Sequence, residues 1–454
     1  MKNDSKVAFL IIGIVAISLI LLTPIVTSPP FNDVDEYVII AKHIVGFDNI
    51  KIFALHSTLY PLVAAPILAI FKNLLSFQLF TIGIVILTGI AIWLVSKNIK
   101  AVLLWAFSAL TWYTIGAVGS IIPAALCILL AYCFYEKWNN TNKTYLLAIS
   151  GLFLGLSSAF YEGAWPVSFF FMLIFFYRRK LSSTLFFLAF FCLGFSARLV
   201  TDYLVIGSAF SSTIRMTFAN AYVMLGYHPG NKVWITPFRV LEALLIISPL
   251  IILSFRIWKK NKEGFLFLIL SFIVIGLITP SMMYLYLIMP VSILLLSRVI
   301  SKKEAIAHII LSIPVIILLI SVQFTPKFVA DNYTNLNLDI KEIGKDYQGS
   351  IIADKDLELT LASRSWNKNL YFIWLNDYLA SKNNIQILKK YEFKETVNDA
   401  MYKKMFLIWG DEFVSKEEYP DNLPLIVYKH LKPRNPGYVI EKCYRVICVY
   451  RKAA

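Results

Sequence analysis

Apolar runs long enough to cross a hydrocarbon layer of about 30 Å recur along this chain from Val7 to Gln323. No single water-soluble core can absorb them, so a bilayer must serve as their solvent. With 58% hydrophobic and 16% charged residues over 454 positions, the composition agrees. Past a boundary at about Phe324 to Asp331 the composition becomes that of an ordinary soluble protein. Two regions are expected, a membrane region over 1–325 and a soluble region over 326–454. The first run, Val7 to about Ile25, is too long for a signal-peptide core and lacks a small-residue cleavage pattern before Pro29 and Pro30. It reads as a retained helix.

About eleven spans are expected, at 7–27, 76–95, 101–118, 120–137, 145–160, 163–177, 182–206, 234–255, 265–280, 282–299 and 305–323. The net charge of +15 invites a nucleic-acid reading, which the placement of the basic residues excludes. They gather in alternate connecting segments: Lys2 and Lys6; Lys97 and Lys100; Lys137 and Lys143; Arg178, Arg179 and Lys180; Arg256, Lys259, Lys260 and Lys262; Arg298, Lys302 and Lys303. The intervening segments hold only Lys42, Lys51, Lys72, Arg215 and Lys232. This asymmetry follows the positive-inside rule, and it orients the chain with a cytoplasmic N-terminus and an external C-terminal region.

Cys127, Cys133 and Cys192 fall in apolar spans as small packing residues. Cys443 and Cys448 lie in an alternating, strand-like run, where a tight turn at Arg445 and Val446 would set them opposite one another. Free thiols or a disulfide both fit. The tail alternates short apolar strands (349–353, 405–409, 425–428, 438–450) with helical stretches near 356–363, 375–390 and 395–404, the pattern of a small α/β domain. It carries no Gly-rich phosphate loop, and the membrane region shows no internal repeat.

The first external loop, 29–75, is the informative segment. Its stretch 37–45 is amphipathic, and 59–71 is apolar but too short to span, so both read as helices lying along the membrane surface. Counting 59–71 as a crossing would reverse the charge bias of every later turn. The loop opens with NDVDEY, which places Asp33, Asp35 and Glu36 together at a membrane boundary, where carboxylates are costly unless hydrated or used. A hydrated acid set and a general base are the two readings. Asp33, Tyr37 and Ala41 fall four apart, and His56 leads the stretch HSTLYP through Tyr60.

In these positions the chain resembles the lipid-phosphate-dependent glycosyltransferases of the GT-C fold, including protein O-mannosyltransferases and aminoarabinose transferases. That family's first external loop carries an acid, a Tyr four positions later, a small residue four beyond, and a His- or Lys-led Pro-Leu-Tyr-Pro-like stretch. The resemblance implies a polytopic α-helical membrane protein, a GT-C-like bundle with a C-terminal external α/β domain. It implies an inverting transfer of sugar from an isoprenoid-phosphate donor to a glycan, lipid or protein acceptor. By the match Asp33 is the catalytic acid, Asp35 and Glu36 are its neighbours in register, and His56 contacts the donor phosphate. Tyr37 and Tyr60 fall on substrate-side positions. No cofactor and no obligatory metal are implied. Two departures stand out: the second external turn, GAVGSIIP from Gly116 to Pro123, has no acid and only Ser120 as a polar side chain. The late segment MMYLYLIMP has Tyr284 and Tyr286 but no Arg.

Further cations are available for the phosphate. Arg198 and Asp202 lie four apart, and Arg239 and Glu242 three apart, so each pair shares a helical face as an internal ion bridge or as a phosphate pocket. Glu162 stands alone in a turn, solvated or facing that cavity. The long segment 207–233, with Arg215, Tyr222, Tyr227 and His228, has the length of a lid over a sugar. Trp112, Trp165 and Trp234 read as interfacial anchors. A transporter or lipid flippase would need ionisable groups along a path through the bilayer, whereas here they gather at one end. A scaffold that has lost its acids and an oligosaccharyltransferase, whose Trp-Trp-Asp signature the tail lacks, are the other rivals.

Overall fold

A segment can leave water only if its backbone hydrogen bonds close within it, and helices do this most simply. In the computed structural model the described residues are 2–23, 32–46, 56–115, 118–177, 179–210, 212–214, 216–217, 255–278, 282–324, 330–353, 370–374, 424–429 and 437–453. They form α1 (Lys2–Leu22), α2 (Asn32–Ile44), α3 (Leu59–Phe71), α4 (Leu74–Ser96), α5 (Ile99–Ala106), α6 (Ala109–Tyr113), α7 (Ile121–Thr141), α8 (Thr144–Phe160), α9 (Ala164–Phe176) and α10 (Leu181–Ile206). After these come α11 (Lys262–Ile278), α12 (Met282–Leu285), α13 (Met289–Val299), α14 (Lys302–Phe324) and α15 (Ala330–Asp346).

Among the described residues four helices are long and apolar enough to cross a membrane: α1 from Asp4, α4, α7 and α10. α1 shows why lipid suits them. It buries a single stripe, Ala8, Ile12, Val15 and Leu19, while Leu10, Ile14, Ile17 and Leu21 on its other faces stay exposed. A helix apolar all round needs an apolar surrounding. The segments expected at 145–160, 163–177, 265–280 and 305–323 are helical as α8, α9, α11 and α14, and 234–254 lies outside the described residues.

Two expected spans are not continuous. The segment 101–118 divides into α5 and α6, and 282–299 into α12 and α13. α5 reaches only about 12 Å at 1.5 Å per residue, and its Ala101, Val102, Leu104, Trp105 and Ala106 are all buried. The freed carbonyls at its end are taken by the Thr111 hydroxyl (to Trp105 O, 2.7 Å) and the Trp112 indole (to Ala106 O, 2.7 Å). A broken helix survives in an apolar surrounding when protein covers it and its backbone groups find such partners.

The basic turns meet one another at one end of the bundle. Arg298 pairs with Glu136, Arg256 with Glu304 (2.5 Å), Arg179 donates to Asn139 (2.6 Å), and the Lys100 ammonium to Ile300 O (2.6 Å). α8 starts at that end and carries the chain about 25 Å to the other. α8 and α10 touch backbone to backbone because glycine lines the contact: a Cβ on Gly155 would lie 2.1 Å from Phe191 O, and one on Gly194 2.2 Å from Leu152 O.

The C-terminal region forms a five-stranded mixed sheet from β1 (Gly349–Ala353), β2 (Leu370–Trp374), β3 (Leu425–Tyr428), β4 (Tyr438–Cys443) and β5 (Ile447–Lys452), in the order β2-β1-β3-β5-β4. β1 runs parallel to β2 and β3, and β5 antiparallel to β3 and β4. Cys443 and Cys448 pair across the β4–β5 hairpin in a disulfide. The hairpin turn docks on α15, where the buried Asp339 carboxylate accepts from the N–H groups of Arg445 (3.1 Å) and Val446 (2.8 Å). The strand expected at 405–409 and the helices at 356–363, 375–390 and 395–404 lie outside the described residues.

Candidate functional site

α2 begins at Asn32, earlier than the expected Tyr37, and so carries the acidic motif on its first turns. Val34, Tyr37, Val38 and Ala41 form its apolar stripe and pack on Tyr60, Ala64, Ala65 and Leu68 of α3 and on Phe77 of α4. α3 spans the thirteen residues expected of it. Packing α2 on α3 brings the acidic motif to the segment His56-Ser57-Thr58, which leads into α3.

There, three consecutive backbone N–H groups each donate to a different carboxylate. His56 donates to Glu36 Oε1 (2.9 Å), Ser57 to Glu162 Oε1 (3.2 Å) and Thr58 to Asp202 Oδ1 (3.4 Å). The three acceptors come from α2, the α8–α9 turn and α10. The second oxygen of Glu36 holds His56 Nδ1 at 3.0 Å. Because a carboxylate only accepts, Nδ1 carries a proton in this contact. The His56 ring is also set edge-on to Tyr37, centroids 5.7 Å apart.

Thr58 is the N-cap of α3, yet its hydroxyl makes no capping bond within the helix. It donates to Asp202 Oδ1 at 2.8 Å instead. Arg198 is fully buried and reaches Glu162 Oε1 with Nη2 at 2.6 Å, while its Nε donates to Ser212 Oγ (3.0 Å), which in turn donates to Asp202 Oδ2. Its guanidinium lies 5.6 Å from the Trp165 ring centroid. The shared face of Arg198 and Asp202 is therefore bridged through Ser212, and the direct partner of Arg198 is Glu162. Among the described residues Arg198 Nη1 and Glu162 Oε2 have no hydrogen-bond partner.

Tyr37 OH meets Ser120 Oγ at 2.9 Å, so the one polar side chain of the second turn touches the acidic helix. Tyr60 is fully buried, its hydroxyl against Thr81 Oγ1 (2.9 Å) and its ring edge-on to Tyr37 (5.2 Å). Asp35 and Lys42 are buried on α2, and burial lowers the Lys42 ammonium pKa from 10.5 to about 7. Tyr161 stacks on Tyr284, centroids 5.7 Å apart.

The structure thus gathers Glu36, Tyr37, His56, Tyr60, Glu162 and Arg198 around the head of α3. Asp33 lies on the first turn of α2 by its backbone, and its side chain lies outside the described residues, as do Arg215, Tyr222, Tyr227, His228 and Arg239. Sequence reasoning passed over Ser57, Thr58 and Ser212. The signal for the first two was present: a polar triplet directly before an apolar helix must offer its N–H groups to something. Among the described residues no group of three His, Cys, Asp or Glu side chains could hold a metal. Set against known proteins, the chain matches no family model and no curated sequence.

Proposed function

We propose that this protein is an integral membrane glycosyltransferase acting at the outer face. It moves a sugar from an isoprenoid-phosphate donor to a hydroxyl of a lipid-linked glycan, a cell-surface glycan or a protein. The acceptor oxygen attacks C1 from the side opposite the phosphate, and the C1–O bond to the phosphate breaks, its electron pair leaving with the phosphate. The configuration inverts, and the acceptor proton passes to Asp33 as general base. His56 and Arg239 are the proposed contacts for the phosphate oxygens, Arg215 a contact on the sugar side, and the isoprenoid chain lies along the apolar helices. A phosphate is a good leaving group, so positioning and one base are sufficient.

The observation that carries this reading is the Glu36–His56 contact. It joins the acidic motif of α2 to the HST segment, which supports reading the two segments as one site. A flippase would need such groups along its length, whereas these ionisable residues sit together at the head of α3.

The test is transfer of radiolabelled sugar from isoprenoid-phosphate donors in membranes bearing the protein at matched levels. Asp33→Asn should lower the rate by about 10²-fold or more, and Glu36→Gln should lower it through His56. Loss in Asp35→Asn alone would move the base two positions along α2. Transfer unchanged in all three variants, or absent with every donor for the unaltered protein, would refute the proposal and leave a scaffold or a transporter.

A further inference from the structure

The segment His56-Ser57-Thr58 offers three successive N–H groups at the start of a helix, a geometry that attracts anions. Here three protein carboxylates already occupy it, Glu36, Glu162 and Asp202. Arg198 binds the second of these directly and the third through Ser212. These carboxylates take all three N–H groups, so none of the three is left to hold a phosphate. Every element of the cluster instead bears on where His56 stands: α8 and α10 touch at Gly155 and Gly194, and the turn after α8 and α10 itself present Glu162 and Asp202 to the two residues that follow His56.

We infer that Arg198, Glu162, Asp202 and Ser212 are positioning residues that pin the head of α3 and thereby fix the His56 imidazole. Arg198 is then no contact of the donor phosphate. The inference rests on the glycosyltransferase reading only for its effect on turnover; the pinning of His56 is independent of it. The Thr58 hydroxyl is the sensitive point, because it can be removed at nearly constant volume. Thr58→Val deletes the hydroxyl bond to Asp202 and keeps the backbone N–H bond to it, while Thr58→Ser restores a hydroxyl.

The experiment uses the full-length protein in lipid nanodiscs, labelled with 15N in its histidine rings, the His56 signals being those lost in His56→Asn. Thr58→Val and Asp202→Asn should shift or broaden the His56 ring signals, and Thr58→Ser should return them to the unaltered positions. In the transfer assay the same two variants should lose about tenfold or more in kcat, with KM for the donor within about twofold, and Thr58→Ser should recover. Should Asp202→Asn fail to fold, Thr58→Val against Thr58→Ser carries the test. His56 signals unmoved by Thr58→Val overturn the inference whether or not transfer is detected. A raised donor KM at unchanged kcat in Arg198→Lys also overturns it, by returning Arg198 to the phosphate. Signals that move as expected in a protein showing no transfer with any donor support the pinning and refute the glycosyltransferase reading.

Discussion

At the scale of single residues, Lys42 is where pH acts on α2. Its pKa falls from 10.5 to about 7 because burial disfavours the charged ammonium. Between those values the unfolded chain binds a proton that the folded helix has released, so stability rises with pH across that window and levels off below about 7. The unfolding midpoint of the detergent-solubilised protein should rise from about pH 7 to about pH 9.5, and Lys42→Met should flatten that slope. A slope unchanged in the variant would assign the response to other groups. Single residues also show what could be read from sequence. Glu36, His56, Glu162 and Arg198 attract notice by type and position, since ionisable side chains beside apolar runs need a reason. Their partners were not legible. Glu36 meets His56 across twenty positions, and Ser57 meets Glu162 across 105, and no local spacing rule reaches that far.

Elements were legible where their period is local. α3 appears over the residues its apolar run marked, β1 and β3 over their short apolar runs, and the β4–β5 hairpin over its alternating run. The α5–α6 break was not legible, because Phe107 and Ser108 contain neither Pro nor Gly and the surrounding helices, not the segment itself, make the break tolerable. α15 was missed although Leu336, Ile340 and Ile343 repeat at helical spacing; its polar remainder hid it among soluble sequence. β2, a continuous apolar run beside β1, was passed over although β3 is a run of the same kind. The α8–α10 contact makes its own prediction. Gly155→Ala or Gly194→Ala must push two backbones apart, since either Cβ would overlap a carbonyl. Each should cost about 1–3 kcal/mol, seen as a lowered unfolding midpoint. An unmoved midpoint would mean the helices separate freely.

At the scale of the whole molecule, α2 joins two parts of the chain. One face packs on α3 and α4, while Ile39 belongs to the same apolar cluster as Leu336, Ile340 and Ile343 of α15 and Ile351, Ile426, Ile447 and Val449 of the sheet. The helix that carries the acids is thus held from both sides. Ile39→Asp should speed proteolytic release of the C-terminal region, while Leu338→Asp, at a residue 40% exposed, should leave it unchanged; equal rates would mean that Ile39 does not secure the contact. The covered position of α5 has a bearing on how the chain is made. Asn98 and Lys100 close on the carbonyls of Ser297 and Ile300, the latter 200 positions later. A ribosome therefore delivers this short helix long before these two carbonyls exist, so the bundle cannot be finished in the order of its synthesis. A nascent chain halted before residue 297 would hold α5 against α1 and α4, with α13 and α14 still missing from its other side.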